Sequence, residues 1–294
     1  MTTLPATVSL PGTLRDLVSL TKPRITFLVI TTSAGGLWLA PGVPDFARSL
    51  VAVLAIAAVV MSANALNCWM ERDSDRAMTR TMDRPLPAGR LDPKVALVFG
   101  LSLGALSVPV LALLVNPLTG LLGAIALVMY VWMYTPLKQK TWTALLVGAV
   151  PGAMPPLMGW TAATGRLELP GLALFAVLFV WQIPHFIAIA VFRQAEYERA
   201  GIRVLPSVVG VRAAKVHMIL WCALLLPVSL SLGPLGVAGT LYLVSAALLG
   251  AGFLAACLAG LRETGTDTRW ARRAFGASLV YLTLLFGVLI ADAV

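Results

Sequence analysis

The sequence predicts an all-α polytopic membrane protein, and three observations support this prediction. Of its 294 residues, 59% are hydrophobic and only 12% are charged, whereas soluble domains have about 25% charged residues. The apolar residues gather into runs of about 17–25 residues, the length that a helix needs to cross a bilayer. Basic residues are concentrated in alternate connecting segments, as the positive-inside rule describes. This composition excludes a disordered chain, a secreted disulfide scaffold and an ordinary soluble enzyme.

Nine apolar runs without charged residues follow one another along the chain. They are residues 25–41, 49–70, 95–115, 117–134, 142–161, 170–192, 216–232, 236–260 and 274–291. Two of the breaks between them are short, Asn116-Pro117 and Gly233-Pro234-Leu235, and each is compatible with a tight turn or a kink. Kinks at both places would reduce the number of spans to seven. We expect one integral-membrane domain over residues 1–294.

The positions of Lys and Arg distinguish these counts and predict the orientation. With nine spans and the N-terminus inside, 20 of the 22 basic residues fall in inner segments, and only Arg48 and Arg166 lie outside. Merging one pair of runs would invert every later loop and remove this asymmetry. We therefore expect nine transmembrane helices, with the N-terminus inside and the C-terminus outside. The net charge of +9 is then explained by the basic residues of the inner segments, which set the orientation. No nucleic-acid partner is expected.

Three polar residues at steps of four, Asn67, Glu71 and Asp75, follow the second apolar run into its inner loop. Each step of four residues turns about 40° around a helix, so the three share one face if the helix continues past Met70. Neighbouring carboxylates suit Mg²⁺, which keeps several waters and bridges to phosphate oxygens. A solvated helix end would carry the same residues without a metal ion, and the spacing leaves both interpretations open.

Arginines continue the same stretch at steps of four, as Arg76, Arg80 and Arg84. Guanidinium groups match phosphate oxygens in a bidentate manner, so arginines interleaved with acids suit an anion held both directly and through a metal ion. The alternative is that these residues only set the orientation of the protein. Further basic residues are predicted on the same side: Lys22, Arg24, Lys138 and Lys140.

The sixth span contains His185, within the stretch Trp181 to Phe186. An ionisable residue in a membrane span is a functional-site candidate, although a hydrogen bond to a neighbouring helix is an equally good interpretation. Just after this span, Glu196 offers a second acidic group, with Tyr197 beside it.

These motifs resemble those of the UbiA-type intramembrane prenyltransferase superfamily, and most specifically those of its haem O synthase (protohaem IX farnesyltransferase) family. The resemblance covers nearly the whole chain. The stretch from Asn67 to Leu86 is similar to the superfamily as a whole, whereas the segments 155–160 and 181–186 are similar to the haem branch. Other specific segments are residues 134–138 and 196–201.

The resemblance implies nine helices around a central cavity with a polar cap on the inner side. It implies that farnesyl diphosphate donates a farnesyl group to a vinyl group of haem B, and that water supplies the hydroxyl of the product, haem O, for terminal oxidases. By this resemblance, the residues that bind Mg²⁺ and the diphosphate are Asn67, Glu71, Asp75, Arg76, Arg80, Arg84 and Lys138. The second acidic motif maps to Glu196 and Tyr197, with Glu196 as a further candidate metal ligand.

Two positions depart from the family pattern. Glu196 stands where the family usually has Asp, and its carboxylate is one methylene further from the backbone. Gln139 stands where Arg is common, and Lys140 compensates as a point charge only. His185 either binds the haem iron or lies near the reacting vinyl group. Haem B is expected as a substrate and not as a cofactor. The protein is expected to lie in the lipid bilayer, and a haem A synthase or terminal oxidase is a candidate protein partner.

Two other functions remain open from the residues. A related prenyltransferase with an aromatic or quinone acceptor would share the acidic motif. A membrane transporter would instead place polar groups near the bilayer midplane, connected to both faces. The first residues resemble neither a signal peptide nor a transit peptide, so a prokaryotic plasma membrane is the expected location.

Overall fold

The computed structural model describes residues 10–42, 44–263 and 267–293, and within these ranges the regular structure is helical. The helices, numbered in chain order, are α1 Leu10–Leu20, α2 Pro23–Trp38, α3 Phe46–Met70, α4 Arg72–Asp75, α5 Pro93–Val115, α6 Pro117–Leu137, α7 Ala144–Thr164, α8 Leu169–Phe192, α9 Gln194–Arg199, α10 Leu205–Leu230, α11 Thr240–Arg262 and α12 Arg269–Ala291. An isolated bridge between Ala238 and Ala293 joins the start of α11 to the end of α12.

Seven helices in the described part of the chain are long and apolar enough to cross a membrane: α3, α5, α6, α8, α10, α11 and α12. The chain is therefore a multi-pass membrane protein. The two other predicted spans, residues 25–41 and 142–161, coincide with α2 and α7. Helix α2 is only 16 residues long, and α7 contains three prolines, which lower its hydropathy. The number of nine spans stays a prediction.

Both short breaks in the apolar pattern are turns between helices. Asn116 is extended, and its side-chain oxygen accepts a hydrogen bond from the Thr119 backbone N–H at 2.9 Å, which caps α6. At the second break, α10 ends at Leu230, and Gly236 in the turn that follows has a φ of +72°, a left-handed conformation. The predicted start of the eighth span at residue 236 is therefore wrong, and α11 begins at Thr240.

Two further predicted helix starts, at residues 216 and 274, are also wrong. Helix α10 begins at Leu205 rather than at residue 216, and α12 begins at Arg269 rather than at residue 274. The prediction used charged residues as boundaries, but basic side chains are compatible with helix ends because their long stems reach polar surroundings. Within α10, Gly210 has a φ of +83° and kinks the helix.

The packing of the helices divides the molecule into two sides that share α7. Helix α3 packs against α2, α5, α6 and α7, whereas α8 packs against α7, α10 and α12. Helices α2 and α7 touch through Gly36 and Gly159, where a side chain on either glycine would overlap the backbone of the other helix. The segments that follow α3, α6 and α8 meet at one end of the molecule, and the predicted polar residues lie there.

Candidate active site

Asn67, Glu71 and Asp75 form the buried polar face that their spacing predicts. Helix α3 ends at Met70, so the helix does not simply continue, and Glu71 caps it with φ −95° and ψ 4°. The helical hydrogen bonds persist across this point: Glu71 N–H donates to the Asn67 carbonyl at 3.0 Å, and Asp75 N–H donates to the Glu71 carbonyl at 2.8 Å. Glu71 is 5% exposed and Asp75 1% exposed. Buried carboxylates need compensation, and nearby cations provide it.

Each of these three side chains has a cation of its own. Lys138, which follows α6, forms an ion pair with Glu71. Arg84 Nη1 lies 2.7 Å from Asp75 Oδ2. Lys22 Nζ donates to Asn67 Oδ1 at 3.0 Å. The site is therefore a largely buried cluster in which negative and positive side chains contact each other.

The second acidic segment joins this cluster through the loop that holds Lys138. The Arg203 N–H donates to the Lys138 carbonyl at 3.2 Å, which ties the segment after α9 to that loop. Burial raises the pKa of the Tyr197 phenol, and the positive charges of Arg80 and Lys138 oppose this shift. Tyr197 therefore stays protonated at neutral pH, within electrostatic reach of both basic side chains.

Glu196 has one oxygen paired and one oxygen unpaired. Its Oε1 accepts a hydrogen bond from Arg193 Nη1 at 2.6 Å. Its Oε2 is buried, and no residue that the structure describes forms a hydrogen bond with it. A buried carboxylate oxygen without a partner is costly unless a ligand or ion completes it.

Three of the predicted diphosphate-binding cations lie further out. The side chain of Arg76 is 59% exposed, and it contacts Asp73 at 3.3 Å and the Pro87 carbonyl at 3.2 Å. Arg80 and Lys140 are also exposed. Arg80 acts electrostatically on Tyr197, as described above, whereas Lys140 lies in the surface turn after α6. The structure thus places Arg84 and Lys138, but not Arg76, in contact with the buried acids.

The acids suit a metal ion that is shared with a substrate. In the described ranges, no three or more His, Cys, Asp or Glu side chains come together closely enough to hold a metal ion by themselves. Magnesium in phosphate-transfer sites needs only one or two carboxylates, because waters and substrate phosphates supply the other ligands. Glu71 and Asp75 are buried carboxylates of this kind, and Glu196 adds one unpaired carboxylate oxygen.

His185 lies deeper, in the packed interface between α8 and α12. Its Nδ1 is 2.7 Å from Ser278 Oγ. Its ring stacks on Trp181, with centroids 4.7 Å apart, and lies against Phe275 at 4.8 Å. The predicted alternative of a histidine bonded to a neighbouring helix is therefore realised, and it leaves the second ring nitrogen available.

Two residues of this site were not found from the sequence. Thr135 accepts a hydrogen bond from Asn67 Nδ2 at 3.2 Å, and Ser278 holds His185. Both are small hydroxyl residues in apolar surroundings, and such residues also bond to their own helix backbone. Periodicity alone could not distinguish the two uses, since the contacts span 68 and 93 residues.

The fold and the site define an intramembrane prenyltransferase. The chain belongs to the UbiA prenyltransferase family, whose family model matches residues 28–279. It is 54% identical over 273 residues to the protoheme IX farnesyltransferase of Anaeromyxobacter dehalogenans, covering 93% of this chain and 92% of that protein. It is 51% identical over 286 residues to the protoheme IX farnesyltransferase of Myxococcus xanthus, covering 97% of each chain.

Solved structures share the fold at low sequence identity. A digeranylgeranylglyceryl phosphate synthase matches with a TM-score of 0.81 at 17% identity, over 95% of this chain and 98% of that one. A UbiA homologue from Archaeoglobus fulgidus, bound to DMAPP and Mg²⁺, matches with a TM-score of 0.70 at 15% identity, over 93% and 99% of the two chains. These structures confirm the expected all-helical class, and the family model confirms the expected superfamily.

Proposed function

We propose that this chain transfers a farnesyl group from farnesyl diphosphate to a vinyl group of haem B in an Mg²⁺-dependent reaction. Water adds in the same reaction, and the product is haem O with its hydroxyethylfarnesyl side chain. Family membership and the relatives named protoheme IX farnesyltransferase support this proposal. A haem A synthase or a terminal oxidase is the proposed recipient of the product.

The observation that carries the proposal is the pairing of buried acids with cations at one end of the helices. Glu71 is paired with Lys138, and Asp75 with Arg84. A diphosphate with its Mg²⁺ presents both signs of charge, so its phosphate oxygens match the cations and its metal ion matches the acids. Groups that are already in place stabilise developing charge without reorganising during the reaction.

Glu71, Asp75 and Glu196 are the proposed protein ligands of Mg²⁺, which supplies positive charge to the leaving diphosphate when it is bound. Arg84 and Lys138 hold phosphate oxygens on the same group. Arg80 reaches the diphosphate from the surface, and Tyr197, which keeps its proton, donates a hydrogen bond there.

The reaction needs no strong acid or base from the protein. The bond between farnesyl C1 and the diphosphate oxygen breaks, and its electrons leave with the diphosphate. The haem vinyl group is a neutral alkene, and its π electrons form the new carbon–carbon bond. The cation left on the other vinyl carbon takes up water, which loses a proton to become the hydroxyl group. Apolar helices beneath the polar cluster keep water from the allylic cation until the alkene attacks.

We place the site at the cytoplasmic face of a prokaryotic plasma membrane, beneath nine helices with the N-terminus inside and the C-terminus outside. The positive-inside rule supports this orientation, because 20 of 22 basic residues then lie inside. The residues that form the cluster all come from segments on that side, which favours an enzyme with one open face over a transporter that connects both faces.

An acceptor competition tests this proposal. Purified protein receives farnesyl diphosphate, Mg²⁺, haem B and 4-hydroxybenzoate together, and mass spectrometry follows both acceptors. We expect farnesylated, hydrated haem, unchanged 4-hydroxybenzoate, and loss of product when EDTA is added. Prenylated 4-hydroxybenzoate with unchanged haem B would show that the acceptor is wrong.

A further inference from the structure

The hydrogen bonds around Ser278 determine which nitrogen of His185 carries the proton. The Ser278 hydroxyl has one hydrogen, and it donates to the Phe275 carbonyl at 2.6 Å. Its oxygen is then an acceptor toward His185 Nδ1, at 2.7 Å. Nδ1 therefore carries the hydrogen, and Nε2 keeps its lone pair.

Ser278 is itself held in place at its backbone. The Trp181 indole N–H donates to the Ser278 carbonyl at 2.8 Å. Trp181 also stacks on the His185 ring, so one side chain of α8 fixes both members of the pair. Ser278 is fully buried, and water cannot replace its hydroxyl easily.

The Nε2 atom can take a ligand, and an exposed aromatic ring lies next to the imidazole. No residue in the described part of the chain forms a hydrogen bond with Nε2, and His185 is 8% exposed. Its ring meets the edge of Phe186 at 5.4 Å. Phe186 is 39% exposed, although the other residues from 173 to 194 are buried or half-buried. The exposed Phe186 ring is an apolar surface beside His185 against which a flat ligand can pack.

We propose that Ser278 is a positioning residue that holds His185 in the form whose Nε2 binds the iron of haem B. This inference rests on the proposed function and selects iron ligation over a role beside the vinyl group. Histidines that ligate metals generally donate their other N–H to an oxygen, which fixes the ring and raises its basicity. The bond from His185 to Ser278 has this form.

Haem titration of purified protein in detergent, followed by its visible absorption, tests the inference. We expect Ser278→Ala to weaken haem B binding by about 10- to 100-fold. This is the usual loss of metal affinity when a residue that hydrogen-bonds to a metal ligand is removed. We expect His185→Ala to remove the spectrum of histidine-bound haem, and added imidazole to restore it. Farnesyl diphosphate affinity should remain at the wild-type value in both variants. Ser229→Ala is the matched control, because Ser229 is equally buried and bonds to Tyr281 and the Leu225 carbonyl instead.

The outcomes separate this inference from the proposed function. A Ser278→Ala protein with wild-type haem affinity and spectrum would overturn the positioning role. A His185→Ala protein that keeps the histidine-bound spectrum would overturn iron ligation, and His185→Gln provides a second variant if the alanine protein does not fold. If the wild-type protein binds farnesyl diphosphate but not haem B, the proposed acceptor fails, and this inference fails with it.

Discussion

At the scale of single residues, Glu71 and Asp75 are the acids on which the proposed chemistry depends. Both are buried, yet each meets a different cation, so neither charge is left uncompensated. We expect Glu71→Gln and Asp75→Asn to lower kcat by about 100-fold or more, as the loss of one preorganised charge-stabilising group does. Product formation by each purified variant at saturating Mg²⁺ measures this effect.

Asp73 is the matched control for these two variants. It lies between them in the sequence, but its side chain is 71% exposed and, in the part of the chain that the structure describes, forms ion pairs with Arg72 and Arg76 alone. Asp73→Asn should therefore keep near wild-type activity. Equal losses in all three variants, or near-normal haem O production by either of the first two, would contradict the assignment.

Replacing Arg84 and replacing Arg76 are predicted to have different effects on stability and diphosphate binding, although both arginines belong to the same series at steps of four. Arg84→Ala removes the partner of a buried acid, which costs about 3–5 kcal/mol when a buried pair is broken. We expect lower thermal stability and weaker farnesyl diphosphate binding. Arg76→Ala should change both by little, because exposed ion pairs contribute about 0–1 kcal/mol. Thermal unfolding and a diphosphate titration compare the two variants, and indistinguishable results would count against the structural placement.

The sequence predicted the shared position of these acids better than it predicted their partners. Spacing by four placed Asn67, Glu71 and Asp75 on one face, because helical hydrogen bonds persist beyond the end of α3. Spacing could not separate Arg84 from Arg76, since the chain after Asp75 is made of turns in which helical periodicity no longer applies.

At the scale of helices, the contact between α2 and α7 is set by glycine. A Cβ atom at Gly159 would overlap the Ser33 carbonyl, and one at Gly36 would overlap the Pro156 carbonyl. We expect Gly159→Ala to destabilise the protein by about 1–3 kcal/mol or more, as overpacking does. Thermal unfolding in detergent measures this loss.

Gly252 provides the control for that substitution. It lies in α11, and a Cβ atom there would have nothing within 4 Å. Gly252→Ala should leave stability unchanged or raise it by up to about 1 kcal/mol, because alanine favours a helix over glycine. A Gly159→Ala protein as stable as wild type would show that α2 and α7 are less closely packed.

Helix boundaries were predictable where a turn residue marks them and not where charge was the guide. Asn116 and Pro117 predicted a turn correctly, because an asparagine cap followed by proline is a helix start. Arg212 and Lys215 led to a boundary at residue 216, but both lie within α10. Lys215 donates to the Glu263 carbonyl at 2.7 Å and lies over Trp270, and these contacts to distant residues allow it to be buried in a helix.

At the scale of the whole molecule, the number of spans decides which residues share a side of the membrane. With nine spans, Met82 and Arg166 lie on opposite sides. If only the seven helices that are both long and apolar enough cross, these two residues lie on the same side. We expect an impermeant maleimide on intact cells to label Arg166→Cys but not Met82→Cys.

Permeabilised cells supply the control, since both exposed positions should then be labelled. The native cysteines Cys68, Cys222 and Cys257 are buried and should give little background. Labelling of both variants in intact cells, or of neither, would contradict nine spans. The charge distribution predicted this topology from the sequence, but the relative positions of the helices could not be predicted, because they depend on packing between distant segments.

The central claim is that this site joins a farnesyl group to haem with the addition of water, and one mass measurement tests it most directly. Purified protein is incubated with haem B, farnesyl diphosphate and Mg²⁺ in ordinary water and, separately, in water enriched in oxygen-18. We predict a product with the mass of haem B plus one farnesyl group and one hydroxyl. In the enriched water, its mass rises by the difference between one oxygen-18 and one oxygen-16 atom. Farnesyl diphosphate consumed by folded protein without any change in the mass of haem would contradict the account.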